Sequence, residues 1–264
     1  MMKFRKYHGL GNDYLVLEEG LLTPDSVAAV CDRHRGLGAD GILQRLPSSV
    51  ADTGLRIWNP DGSIAEKSGN GLRIFARWMV EHQQAPDDIT IELVCGVVRC
   101  QVDGTSVTVQ MGQASFDAEH VPSTEEMIFA PKPVGDVMLP LTAVGLGNPH
   151  CVVFLGTDLD GLPWREWGAA LERSEWFPNR VNVQFARVVD AHTIDARVWE
   201  RGAGETLASG SSACAIAAAA VRLEHCEGTV LVSMPGGDLE VTVGRDFSVI
   251  LRGPVEYVGS MECP

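Results

Sequence analysis

The sequence contains two copies of one pattern, and a chain that repeats itself in this way folds into two units of like architecture. Gly9-Leu10-Gly11-Asn12 opens an apolar stretch from Tyr14 to Leu17. Gly145-Leu146-Gly147-Asn148 opens another, from Cys151 to Leu155, 136 positions later. Ile57-Trp58-Asn59 precedes an Asp-Gly turn and then Ser68-Gly69-Asn70-Gly71. Val198-Trp199-Glu200 precedes a glycine-rich turn and then Ser209-Gly210-Ser211-Ser212, with the serines 141 positions apart. Ten positions separate tryptophan from serine in both copies. The two offsets differ by five residues, the size of a loop insertion, so the pattern reads as a tandem duplication.

After each serine a helix is expected. Leu72, Phe75, Ala76 and Met79 fall at helical spacing, and Ala213 to Leu223 is rich in alanine, the strongest helix former. Runs such as Thr90 to Val94, Val97 to Val102, Val107 to Met111, Val183 to Val189 and Leu239 to Val243 read as strands between Gly, Asp and Pro turns. The expected fold class is α/β with mixed sheets (α+β in character): two pseudo-symmetric domains, each a sheet around a central helix. The boundary is placed near Gly112, giving domains 1–112 and 113–253, because the Pro-rich stretch from Pro122 to Pro140 belongs to the start of the second copy.

Composition excludes several classes of function. With 264 residues, 45% of them hydrophobic, the chain can bury a substantial core. A formal charge of -14 repels nucleic acid and anionic membranes. Lys3, Arg5 and Lys6 lie near the start, but a Gly/Asn/Asp segment follows where a signal peptide needs an apolar stretch. The longest apolar run, Ala213 to Val221, is about half of what a membrane span requires. Seven scattered cysteines with no CxxC pair suggest neither a disulfide framework nor a zinc site, and most are expected to be small buried hydrophobes. The expected setting is the cytoplasm, with no metal. No membrane or nucleic acid is expected as a partner.

A serine at a helix start, followed by Gly-Asn-Gly or Gly-Ser-Ser, sits beside backbone N–H groups that have no intrahelical partner. Those groups and the helix dipole suit an anion such as a carboxylate. Two such sites, facing each other across a cleft, suit inversion at Cα: a base on one face, an acid on the other, and fixed donors on the adjacent carboxylate. The plainer reading makes Ser68 and Ser209 ordinary N-caps and Asn12, Asn59, Asn148 and Asn182 turn residues. Duplication and the flanking glycines favour the site. His8 reads as structural, His150 as either packing or site, and Glu200-Arg201 as pointing at the cleft.

These residues resemble the diaminopimelate epimerases along nearly the whole chain. The resemblance rests on His8 to Asp13 (HGLGND), Asp32 to Asp40 (DRHRGLGAD), Asn59 to Gly71 (NPDGSIAEKSGNG), Gly147 to Cys151 (GNPHC), Asn182, and Glu200 to Ala215 (ERGAGETLASGSSACA). It implies no metal, no pyridoxal phosphate and no other cofactor. The expected reaction is two-base inversion between LL- and meso-diaminopimelate, on the route to lysine and peptidoglycan, with the chain end, 254–264, packing back on the first domain. It also implies that Asn70, Gly71, Gly210 and Ser211 hold the reacting carboxylate. Asn12, Asn59, Asn148, Asn182 and Arg201 would hold the distal end, while Glu200 and His150 orient the amino group or tune the acid/base pair. A small amino acid is the expected partner, and a second copy of the chain is left open.

Two departures stand out. The family's motifs read CGNG and ACGSGACA, whereas this chain has Ser68 and Ser209 at the two catalytic cysteines and Ser212 at the later glycine. A thiol is partly ionised at neutral pH and a serine hydroxyl is not, so turnover is expected to be impaired or altered. Three readings follow: an epimerase whose serines are supported by another base; a one-base isomerase or dehydratase on a related substrate; and a non-catalytic amino-acid-binding paralogue.

Overall fold

The computed structural model describes residues 2–263. The chain divides into two compact units. One runs to Gln110 and takes in the chain again from Arg252; the other is Met111–Leu251.

The first unit opens with a hairpin of β1 (Met2–Gly9) and β2 (Asn12–Glu19). Its two-residue turn has positive φ at Leu10 (57°) and Gly11 (87°), the primed geometry that matches strand twist. Helix α1 (Pro24–Cys31) starts in a Thr23/Ser26 capping box with proline in its first turn. Strand β3 (Ile42–Leu46) lies parallel to β2, and β4 (Thr53–Trp58) runs antiparallel to β3 and pairs with the short β5 (Ile64–Ala65). Helix α2 (Gly69–Gln83) follows, then β6 (Asp88–Leu93) parallel to β4, β7 (Gly96–Asp103) and β8 (Ser106–Gln113). In β7, buried Val98, Cys100 and Val102 alternate with exposed Val97, Arg99 and Gln101, the period-two pattern of a strand with one covered face.

The second unit repeats this order. It contains β9 (Ala130–Val134), β10 (Val137–Gly145), β11 (Pro149–Phe154), α3 (Trp164–Glu172), β12 (Asn182–Asp190), β13 (Thr193–Glu200), β14 (Gly204–Thr206), α4 (Gly210–Arg222), β15 (Thr229–Met234), β16 (Gly237–Val243) and β17 (Ser248–Pro254). Strands β10 and β11 form the antiparallel pair and β12 joins β11 in parallel. Strand β13 runs antiparallel to β12, β14 closes on β13, and β15 lies parallel to β13. The duplication is therefore expressed ladder by ladder. Strand β18 (Glu256–Cys263) then pairs antiparallel with β1, from Met2 opposite Cys263 to His8 opposite Glu256.

Each unit is built on one helix. In α2, Leu72, Ile74, Phe75 and Ala76 are fully buried, and the helix packs against β1, β2 and β7. Each such large apolar side chain contributes about 1.5–3 kcal/mol. In α4 every residue from Ala213 to Ala220 is inaccessible, against β10, β11, β12, β15 and β16. A helix apolar on all sides belongs in a core. The mixed α/β class and the helix after each serine agree with the sequence expectation, whereas α1 and α3 were not foreseen. Cys31, Cys100, Cys151, Cys214 and Cys226 are buried, Cys95 is exposed, and none of the seven is in a disulfide. Among the described residues no helix is long and apolar enough to cross a membrane.

Gly41 lets the β2 side chains reach the start of α2. A Cβ there would lie 2.4 Å from the Trp58 carbonyl oxygen and 2.7 Å from Cε1 of Tyr14. Gly41→Ala is expected to destabilise the chain by about 1–3 kcal/mol through overpacking against backbone, measured by urea denaturation.

Candidate active site

Ser68 and Ser209 are the N-caps of α2 and α4, with nearly superposable backbone angles: φ -140°, ψ 119° and φ -142°, ψ 122°. Their side chains behave differently. Ser68 Oγ accepts the Gly71 amide at 3.0 Å and lies 3.1 Å from the Tyr14 hydroxyl. Ser209, 6% exposed, makes no capping bond.

In the first unit, Asn70 and Asn12 are brought together. The fully buried Arg73 donates from Nη2 to Asn70 Oδ1 (2.9 Å), Asn70 Nδ2 donates to Asn12 Oδ1 (2.8 Å), and Asn12 Nδ2 donates to Asp40 Oδ2 (2.8 Å). A cation at one end and a carboxylate at the other fix the direction of both amides. Behind Asn12, Asp13 takes Lys6 Nζ at 2.6 Å and Arg33 Nη2 at 2.6 Å, and Arg33 bridges to Asp40 at 2.6 Å. Burial raises the Asp13 carboxyl, but the bonds from Arg33 and Lys6 outweigh it and hold the group below the usual carboxylate range. Gly71 lies in the first turn of α2, where a Cβ would meet Leu43 Cδ2 at 3.1 Å. Asn59 stands apart, its Nδ2 donating to Ser63 Oγ (2.9 Å) in the turn before β5.

In the second unit Asn148, His150, Asn182 and Arg201 form one cluster. His150, at zero exposure, bonds Asn148 Oδ1 through Nε2 (2.9 Å) and Gln184 Nε2 through Nδ1 (3.0 Å). Gln184 Nε2 also donates to Ser212 Oγ (3.0 Å). Asn182 spends both ends of its amide on backbone: Nδ2 donates to the Pro149 carbonyl and Oδ1 accepts the Arg201 amide, each at 3.0 Å. Glu200 accepts from Thr206 Oγ1 at 2.9 Å, and Gly210 and Ser211 form the first turn of α4. Burial, reinforced by the Arg201 charge and only partly opposed by Gln184, pushes the His150 imidazole down to about 3. His150 is therefore neutral, with its proton on Nε2, and works by holding Asn148. Ser212, the departure from the family's glycine, is accommodated by Gln184 and leaves the first turn of α4 intact.

Several contributors escaped the sequence reading. Tyr14, Arg73 and Gln184 lie outside the residues that the sequence motifs single out, and Asp13, Arg33 and Asp40 lie inside those motifs without a local signal of their role. Buried Glu172 accepts Trp199 Nε1 (2.9 Å) and the Gly202 amide (3.0 Å), fixing the turn that carries Glu200 and Arg201. Burial pushes the Cys31 thiol up to about 11, Cys100 to about 12 and Cys151 higher still, so none of these three is a thiolate that could take over from the serines. Among the described residues no three His, Cys, Asp or Glu side chains form a metal-binding group.

The fold is shared with solved structures of other proteins. A hydroxyproline epimerase from Agrobacterium vitis superposes with a TM-score of 0.71 at 15% identity, over 98% of this chain and 91% of that one. The family model for diaminopimelate epimerase matches residues 4–117 and 142–258, and the chain belongs to the diaminopimelate epimerase family. It is 43% identical to "Diaminopimelate epimerase 2" of Nostoc sp., over 99% of this chain and 95% of the relative. It is 38% identical to the diaminopimelate epimerase of Pelotomaculum thermopropionicum, over 100% and 99% of the two chains.

Two pH dependences follow. A carboxyl held below its unfolded value stabilises fully above about pH 4 and loses that contribution as pH falls. Asp13→Asn is expected to cost about 2 kcal/mol at neutral pH, allowing for the half-exposed Arg33, and less in acid, as read by urea titration. For His150 the unfolded chain takes up a proton below about pH 6.5 and the folded chain does not, so stability falls on acidification from there. His150→Gln is expected to flatten that slope by up to about 1.4 kcal/mol per pH unit.

Proposed function

We propose that this chain exchanges the α-proton of diaminopimelate and interconverts its LL and meso forms without a cofactor, at a rate limited by serine at the two acid/base positions. The reading is carried by the two helix starts: Ser68 and Ser209 share one backbone geometry, and each caps a helix in a chain of this family. In this reading Asn70, Gly210 and Ser211 hold the carboxylate at the reacting carbon, and Gly71 borders it while its amide braces Ser68 Oγ. Asn12, Asn148 and Arg201 serve the distal amino-acid end, with Asn182 fixing the backbone at Pro149 and Arg201 and Asn59 its own turn. Glu200 orients the amino group, and neutral His150 acts through Asn148. A small amino acid is the partner, and a reducing cytoplasm suits seven cysteines with no disulfide.

Negative charge that develops on the carboxylate during proton loss is met by fixed N–H donors and helix dipoles, which need no reorganisation. What the serines lack is acidity. A one-sided reaction is the second reading, favoured by the inequality between Ser68, bonded to Tyr14 and Gly71, and Ser209, which makes no capping bond.

The test is α-proton exchange in D₂O with LL- and meso-diaminopimelate, comparing the native chain with Ser68→Cys/Ser209→Cys. Slow exchange at both configurations, accelerated roughly 10²- to 10⁴-fold by the double substitution, is expected. Exchange from one configuration alone supports the one-sided reaction. If neither chain exchanges or binds the ligand, the substrate assignment is wrong.

A further inference from the structure

Tyr14 stands two residues beyond Asn12 in β2, so both side chains leave the same face of the strand. They meet the start of α2 as a matched pair, Asn12 bonded to Asn70 and Tyr14 to Ser68. The tyrosine ring is 8% exposed and seated against the backbone at Gly41, leaving no room there even for a methyl group. Its hydroxyl is thereby held 3.1 Å from Ser68 Oγ. Ser68 Oγ meanwhile accepts the Gly71 amide at 3.0 Å and keeps its O–H and a second lone pair, so either hydroxyl can donate to the other across the 3.1 Å contact.

The second repeat shows that this contact is not imposed by the fold. There the place of Tyr14, two residues after the repeat's asparagine, is taken by His150, whose ring nitrogens go to Asn148 and Gln184. The tyrosine–serine contact belongs to the first repeat.

Resting on the function proposed above, we propose that Tyr14 is a proton-relay and positioning residue that acts through Ser68, and that it gives the first repeat the acid/base capacity serine lacks. A phenol ionises near pH ~10, far below an aliphatic hydroxyl, so it is the better store for the proton. In the removing direction, from the form in which Tyr14 has given its phenol proton to solvent, Ser68 Oγ takes the α-proton while its own hydroxyl proton passes to the Tyr14 phenolate. The Cα–H electron pair moves onto the adjacent carboxylate. In the returning direction Ser68 gives its proton to Cα and regains one from the Tyr14 phenol. One proton and one negative charge change places and no other reagent is needed. The Gly71 amide stabilises the partial charge on Ser68 Oγ as the protons move.

A double-mutant cycle tests the relay. Tyr14→Phe is made in the native chain and in the Ser68→Cys background, and exchange is measured as kcat and KM with both diaminopimelate isomers. The relay predicts a roughly 100-fold fall in kcat in the native chain, with KM changed less than about threefold. In the Ser68→Cys background, where the thiol ionises by itself, the loss shrinks to about fivefold or less. Equal losses in the two backgrounds reduce Tyr14 to packing and overturn the relay, as does native-level exchange in Tyr14→Phe. If the native chain neither exchanges nor binds diaminopimelate in equilibrium dialysis, the substrate reading falls and takes the relay with it. If Tyr14→Phe does not fold, replacing all tyrosines by the more acidic 3-fluorotyrosine keeps the ring and hydroxyl. The relay then predicts faster exchange in the native chain and no such gain in the Ser68→Cys background, and equal responses overturn it.

Discussion

A helix threaded through the middle of a small sheet unit cannot bring water to the N–H groups of its first turn, and those donors must be met by a side chain or a ligand. Both α2 and α4 are in this position. Gly69, Asn70 and Gly71 at one start, and Gly210 and Ser212 at the other, are buried. Much of the polar architecture answers that constraint. Ser68 meets the Gly71 amide, Arg73 and Asn12 fix the Asn70 side chain, and Gln184 holds Ser212. A helix start of this kind is a ready site for an anion such as an amino-acid carboxylate.

The repeats solve the same problem with different residues, and the differences come in matched pairs. In the first, glycine at 71 faces Leu43, an apolar neighbour that leaves little space. In the second, the corresponding places hold Ser212 and Gln184, joined by a hydrogen bond and both fully buried. Serine without its glutamine partner would leave a buried hydroxyl unsatisfied, at a cost of about 1–3 kcal/mol. Tyr14 and His150 form the second contrast. One presents a phenol to the N-cap serine, while the other is neutral and turned toward an asparagine. A chain that began as two equal halves has divided the polar work between them.

The duplication was legible because turns and helix starts carry short-range signals: paired glycines, a serine before an apolar helical run, and a fixed spacing from tryptophan. Helices α1 and α3 were not. Each is short, and their packing faces, Val27, Val30 and Cys31 in one and Trp164 and Leu171 in the other, give too few turns for periodicity to register. The site asparagines were found as a set, but their work was not. Asn182 holds backbone at both ends of its amide, and Asn59 is engaged in its own turn. Such assignments depend on which strand lies beside which, and sequence spacing does not contain that. Tyr14 was within reach, since a residue two beyond Asn12 shares its strand face. Arg73 was not, because a fully buried arginine is unexpected until the Asn70–Asn12–Asp40 chain that receives it is seen.

The central proposal is that the helix starts at Ser68 and Ser209 supply backbone donors to an amino-acid carboxylate. It is tested most directly by titrating the ¹⁵N-labelled chain with meso-diaminopimelate and following the backbone amides of Asn70, Gly210 and Ser211. Saturable, downfield proton shifts at amides of both helix starts, with one shared dissociation constant, are predicted. Binding that leaves these amides unmoved while shifting others would contradict the account.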